Sequence, residues 1–227
     1  MTKRRTYGDA CGIARALDVV GERWALMVVR ELLLGPKRFT DVRAGLPGIS
    51  PDVLAQRLRE LEDAGVVARR TLPPPAASHV YELTASGLAL EPAITELGRW
   101  GGGNAPPPGD DMTMSFDSHI LSLRTLFTPA LAEGFDVHVD LHLGDQRFRA
   151  EVVDGAFTIE HGECDVPDAT IVTDAGTLID IAHGRLKLAA AKRAGTIAIA
   201  GDKQAAARFL GLFPLPAPAA APAPLAV

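Results

Sequence analysis

The sequence predicts a two-domain α+β protein, and three observations carry that expectation. Residues 50–83 read as a helix, a glycine stop and two short strands around a proline-rich tip. Residues 136–160 alternate apolar and polar side chains through a strand meander. Between these regions, residues 101–111 contain little but Gly, Pro, Asn, Ala and Asp, the composition of a linker whose glycines bend and whose prolines hold distance. The expected divisions are residues 1–104, a linker at 105–113, a second domain at 114–213 and a Pro/Ala-rich tail at 214–227. The tail composition predicts a polyproline-like or disordered segment.

In the first domain, residues 11–20 form a short amphipathic segment ending at Gly21. A second helix is expected over 23–34, with Trp24, Met27, Val28 and Leu32 apolar and Gly35-Pro36 closing it. A third opens at Lys37-Arg38-Phe39. Leu46-Pro47-Gly48-Ile49 then turns the chain into Ser50, an N-cap residue followed by proline at the first helical position. Leu54, Leu58 and Leu61 make the apolar stripe of this fourth helix, and Gly65 ends it. Residues 66–72 and 79–83 can pair as a hairpin, and Thr84 can cap a last helix over 85–100.

A helix followed by a hairpin is the arrangement with which a winged helix-turn-helix reads DNA. With Leu58 at the centre of the buried stripe, Asp52, Gln56 and Arg59 project outward, with Val53 and Arg57 on the flank. Gln and Arg offer bidentate donors to adenine and guanine edges. Acidic residues crowd the C-terminal half of the helix, whereas base contacts come mainly from the N-terminal part. An ordinary solvated helix face is the alternative.

These residues resemble the HxlR-type winged-helix transcriptional regulators. The matching features are Cys11, Gly21-Glu22-Arg23-Trp24, Arg38-Phe39-Thr40, Pro47-Gly48-Ile49-Ser50, Arg57-Leu58, Leu61-Glu62, Gly65 and Tyr81-Leu83-Thr84-Gly87, over about residues 9–100. The resemblance implies a cytoplasmic bacterial regulator that binds double-stranded DNA as a homodimer, its first and last helices building the interface. The tip between Pro73 and Ser78 carries no Lys or Arg, which leaves wing contacts to the residues at its base. The candidate DNA-binding residues are therefore Lys37, Arg38, Ser50, Pro51, Asp52, Val53, Gln56, Arg57, Arg59, Arg69, Arg70 and His79. The resemblance also makes Cys11 a candidate redox or electrophile sensor, with Arg4, Arg5 and Arg15 near enough in sequence to favour its thiolate. The preferred reading is a small residue buried at the dimer interface.

The net charge of -5 suits DNA only once the chain is divided. Residues 1–105 hold 14 Lys and Arg against 12 Asp and Glu, whereas residues 106–227 hold 9 against 16. Local clusters must do the electrostatic work: Lys3-Arg4-Arg5, Lys37-Arg38 and Arg69-Arg70. The acidic second half argues against nucleic acid as its partner. Two cysteines, Cys11 and Cys164, make no disulfide framework. No secretory signal and no apolar run near the ~20 residues that span a bilayer is apparent, so a cytoplasmic protein without membrane insertion is expected.

In the second domain, Val137, Val139, Leu141 and Leu143 share one strand face, while Asp136, His138, Asp140 and His142 share the other. Gly144-Asp145 and Asp154-Gly155 suit two-residue hairpin turns. The turns predict that Asp140 pairs with Arg149, Arg149 with Glu160, Leu141 with Phe148 and Val152 with Phe157. Strands are expected at 169–173 and 196–200, with helices at 116–126, 175–183, 186–193 and 203–212. His138, Asp140 and His142 lie on alternate positions, about 6.5–7 Å apart, too far for easy chelation, so no metal is expected. No nucleophile–base pair and no phosphate loop appears, so neither catalysis nor a cofactor is expected.

This order resembles the sterol-carrier-protein fold, through Asp154-Gly155, Pro167-Asp168-Ala169-Thr170, Gly184-Arg185-Leu186, Gly195-Thr196-Ile197 and Gly201-Asp202, over about residues 114–213. The resemblance implies a five-stranded sheet under helices, with an apolar tunnel for a fatty-acyl lipid or another hydrophobic small molecule. The expected ligand-binding residues are Leu123, Leu126, Phe127, Val137, Val139, Leu141, Phe148, Ala150, Phe209 and Phe213. The alternative is a solid core used for packing or dimerisation. The combined reading is a ligand-responsive regulator, against a lipid-binding protein whose winged helix serves only to dimerise.

Overall fold

The computed structural model describes residues 6–73, 78–105 and 114–216. Lys3-Arg4-Arg5, the centre of the wing tip, most of the expected linker and the tail beyond 216 lie outside the described residues. The chain divides into two compact units, one through Ile94 and one from Thr95 onward.

The first unit opens with α1 (Gly12–Val20) and α2 (Ala25–Leu32). The second helix starts later than the sequence predicts because Trp24 takes a left-handed conformation, φ 78°. A bulky side chain seldom adopts that region. Here the Arg23 guanidinium stacks over the indole, 5.3 Å from its centre. The short α3 (Phe39–Ala44) leads into α4 (Pro51–Asp63). At Gly65 the chain turns at φ 70°, a conformation that glycine adopts without strain. β1 (Val67–Thr71) and β2 (His79–Leu83) then pair as the predicted antiparallel hairpin, Arg69 opposite Tyr81. Leu54, Leu58 and Leu61 join Ala25, Val28, Val29 and Leu32 in one core.

The single helix expected over 85–100 is two helices, α5 (Ala85–Leu88) and α6 (Glu91–Asn104). Pro92 explains the break, since its ring would clash with the carbonyl four residues earlier but fits a first helical turn. α6 also continues through Gly101, Gly102 and Gly103, so the regular chain reaches further than the glycine run suggests.

The second unit carries α7 (Phe116–Leu126), β3 (Val137–Leu143), β4 (Gln146–Val153), β5 (Ala156–His161), β6 (Ala169–Thr173), α8 (Ala175–Ala182), α9 (Leu188–Ala194), β7 (Ala198–Gly201) and α10 (Lys203–Leu210). The strands form one mixed sheet in the order β5-β4-β3-β6-β7, with β3 and β6 parallel. Every predicted cross-strand pair is present: Asp140 with Arg149, Leu141 with Phe148, Arg149 with Glu160, Val152 with Phe157. The Asp154-Gly155 turn supplies the positive φ values, 51° and 73°, that a tight hairpin demands. Among the described residues, no helix is long and apolar enough to cross a membrane.

Candidate nucleic-acid interface

The interface is built on α4. Ser50 caps it by accepting from the Val53 N–H at 3.3 Å, and Pro51 occupies the first turn. With Leu54, Leu58 and Leu61 buried, Ser50, Pro51, Asp52, Gln56 and Arg59 are exposed and Val53 is half-buried. Asp52, Gln56 and Arg59 stand four and three residues apart, one line roughly 10 Å long on a helix. Gln56 donates to the Glu60 carboxylate at 2.9 Å, an i,i+4 pair that orients its amide along the helix.

Arg57 departs from expectation. It is 8% exposed, and its guanidinium is ion-paired with Glu60. Its position explains this: three residues from Leu54 and four from Leu61, it belongs to the apolar stripe rather than the outward face. Arg57 is corrected from a base-reading candidate to a buried side chain that braces the helix.

Lys37 is half-buried and engaged within the unit. Its ammonium lies 2.7 Å from the carboxylate of Glu31, a residue of α2 with no exposed surface. Arg30 approaches the other oxygen of that carboxylate at 2.6 Å and donates to the Gly45 carbonyl at 3.3 Å. The Lys37 backbone exchanges two hydrogen bonds with Tyr81, 2.9 and 2.8 Å, so residue 37 extends the hairpin by one bridge. Sequence reasoning missed Glu31. The available signal was a carboxylate three residues after Val28, within the apolar stripe of α2.

Arg38 is exposed beside this bridge, its N–H bonded to Asp41 at 3.3 Å. Arg69 and Arg70 are exposed on β1, where Arg70 pairs with Glu82 at 3.0 Å. His79 meets the Thr71 hydroxyl at 3.0 Å. The wing base therefore presents its cations partly engaged across the hairpin. Cys11 is exposed, and its sulfur caps α1 by accepting from the Ala14 N–H at 3.4 Å.

In the second unit, the expected tunnel wall is a packed core. Val137, Val139, Leu141, Phe148, Ala150, Leu123, Phe209 and Phe213 are each at most 1% exposed, and Leu126 is 7% exposed. Side chains lining a water-sized space would show accessible surface. Phe127 is half-buried and stacks on Phe157 at 5.4 Å, and Phe213 meets Phe157 edge-on at 5.0 Å and Phe209 at 5.3 Å. These rings pack on one another, and nine of the ten residues are buried in this structure.

The outer sheet face is polar and internally paired. His138 faces Asp168 at 3.7 Å, and His142 faces Glu163 at 3.7 Å. Asp140 accepts from the Cys164 N–H at 2.7 Å. The three alternate side chains thus turn to three different partners. Burial and the Asp140 carboxylate push the Cys164 thiol up to about 12, which keeps it protonated. On the helical side, burial pulls His183 down to about 4, and burial also lowers His119.

Residues 19–108 match the family model described as HxlR-like helix-turn-helix, and residues 112–219 match that described as alkyl sulfatase C-terminal. The second match stands where a sterol-carrier-type domain was expected. The chain is 41% identical over 86 residues to the HTH-type transcriptional regulator YvaP of Bacillus subtilis, covering 38% of this chain and 80% of that protein. It is 38% identical over 85 residues to the HTH-type transcriptional regulator YodB of the same organism, covering 37% and 76%. Among solved structures, the reduced form of YodB aligns with a TM-score of 0.39 and 33% identity over 44% of this chain and all of that one. The sec-alkylsulfatase Pisa1 from Pseudomonas sp. aligns with a TM-score of 0.39 and 26% identity over 44% of this chain, but only 16% of the sulfatase.

Proposed function

Because the chain belongs to the HxlR-like helix-turn-helix family of transcriptional regulators, we propose that it binds a palindromic operator as a homodimer. Each protomer lays the N-terminal part of α4 in a major groove. One observation carries this reading: the exposed face of α4, capped by Ser50, presents Asp52, Gln56 and Arg59 in a single line, while the opposite face is locked into the core. Arg59 and Gln56 supply donors for guanine and adenine edges, and Asp52 can accept from a cytosine amine. Arg38, Arg69, Arg70 and His79 supply contacts to the phosphates on either side. Two apolar helix surfaces suit the dimer: Ile13 and Leu17 on α1, 74% and 39% exposed, and Leu97 and Trp100 on α6, 53% and 63% exposed. Half-sites should then lie roughly one or two helical turns apart.

The second unit is proposed as the input domain for an apolar or amphiphilic ligand. The closed core sets a condition on that reading: helices must part from the sheet before a ligand enters. The ligand changes DNA affinity only if it binds the open and closed forms unequally. Native mass spectrometry of the purified chain tests it, since a retained lipid supports an input domain and its absence favours a structural module. A second route to regulation is favoured by the Cys11 thiol, which is exposed to solvent at the N-cap of α1 and so open to oxidants and electrophiles. Loss of a peroxide or aldehyde response in Cys11→Ser supports that route, and an unchanged response removes it.

The experiment that tests the main reading is a gel shift of the full chain on the DNA upstream of its own operon. A discrete shift that survives competitor DNA supports it. No shift at low salt turns the balance to a ligand-binding protein that uses its winged helix only to dimerise.

A further inference from the structure

Glu31 is the least expected charge in the first unit. Its carboxylate has no exposed surface, yet it carries Lys37 on one oxygen and Arg30 on the other, at 2.7 and 2.6 Å. Three segments meet there. Arg30 and Glu31 belong to α2. Lys37 is the residue that adds a bridge to β2 through Tyr81. Gly45 ends α3 and gives its carbonyl to Arg30, and a Cβ there would displace the Glu31 carboxylate from its place. The four residues after Gly45 lead directly into the Ser50 cap of α4.

We propose that Glu31 is the positioning residue of the DNA-reading surface: it fixes the wing through Lys37 and the approach to α4 through Arg30 and Gly45. Lys37 then acts as an internal strut and not as a phosphate contact. Burying a carboxylate is costly unless its partners satisfy it in good geometry. Two cations on two oxygens meet that requirement, and the geometry is lost if either segment shifts. The network touches no nucleic acid itself. It sets where Arg38, the wing base and the N-terminal end of α4 stand relative to one another.

The sign of one substitution separates this from simple electrostatics. Glu31→Gln removes a negative charge from a DNA-binding unit, so electrostatics alone predicts equal or tighter DNA binding. The strut predicts weaker binding, by roughly tenfold, the scale of coupling within such a network. Lys37→Met should weaken binding similarly, while the slope of log affinity against log salt stays as in the unaltered chain. A phosphate contact would instead lower that slope by ~0.9.

Because this rests on the DNA-binding reading, a DNA-independent measurement accompanies it. Hydrogen exchange of the Lys37 and Tyr81 amides in the full chain should accelerate in both variants. Where Glu31→Gln fails to fold, Glu31→Gln with Lys37→Met leaves no uncompensated charge from the pair and should show the same faster exchange and the same loss. Unchanged exchange at both amides, tighter DNA binding by Glu31→Gln, or a reduced salt slope in Lys37→Met overturns the proposal. If the unaltered chain binds no DNA, the function reading fails, and the amide exchange still decides the strut.

Discussion

The two units differ in where they bury charge. In the first, ion pairs reach beneath the surface: the unexposed Glu31 carboxylate holds Arg30 and Lys37, and buried Arg57 pairs with Glu60, while Arg70 and Glu82 pair on the hairpin surface. Its outward line of Asp52, Gln56 and Arg59 faces solvent. In the second, the pairs lie on the surface, Arg149 with Glu160 at 2.7 Å and Arg147 with Glu163 at 3.6 Å, over a core of aromatic rings. A surface that meets a polyanion needs outward donors held in place from behind. A surface whose charges satisfy one another across neighbouring strands has little left for a partner. On the proposed reading, DNA recognition belongs to the first unit, and the second acts through its interior or its assembly.

The largest effects test the interior. Leu141→Ala should destabilise the second unit by ~2–5 kcal/mol in urea unfolding, because Leu141 has no exposed surface. Leu141→Trp should also destabilise, by ~1–3 kcal/mol, since a closed core has no room for the ring. Full stability in Leu141→Trp would break the comparison by showing that space exists there.

The outward line comes next. Gln56→Ala and Arg59→Ala should each weaken specific DNA binding by ~1–3 kcal/mol, with less effect on nonspecific binding, in competition gel shifts. Arg57→Ala should behave differently. It removes the buried partner of Glu60, so its main effect should be a lower unfolding midpoint rather than altered sequence preference.

That contrast marks what was legible in the sequence. The hairpin register of the second unit could be read residue by residue, because period-2 alternation and two-residue turns leave one self-consistent pairing. The apolar stripe of α4 was legible too. What was not legible was the pairing of long cations. Arg57 and Lys37 look like surface residues by type, and their fate depends on carboxylates, Glu60 and Glu31, whose positions are set by the fold. The helix break at Pro92 was available from the sequence and outweighs the continuous pattern around it. The sealing of the sheet against its helices depends on how Phe127, Phe157, Phe209 and Phe213 pack together, which periodicity does not encode.

A smaller effect concerns pH. His183 is buried at the end of α8, and its proton affinity falls to about 4 from an ordinary value of 6.5. The unfolded chain therefore binds more protons between those values, and its contribution to stability, full above about 6.5, is lost as pH falls toward 4. Unfolding free energy should drop by roughly 1–2 kcal/mol between pH 7 and pH 5. His183→Leu should flatten that dependence, and an undiminished dependence in this variant would place the titrating group elsewhere.

The smallest effect is at the wing. Arg70 is half exposed and paired with Glu82, so Arg70→Ala should change stability by only ~0–1 kcal/mol. If Arg70 also reaches a phosphate, the salt slope of DNA binding should fall by ~0.9.

The central claim is that the exposed line on α4 reads base edges. The most direct measurement compares the affinity of the full chain, and of Arg59→Ala, for its upstream operon DNA and for a scrambled fragment of equal length at one salt concentration. The account predicts at least ~10³-fold preference for the upstream DNA, reduced by roughly ten- to a hundredfold in Arg59→Ala, with binding to scrambled DNA little changed. Equal affinity of the unaltered chain for both fragments would contradict it.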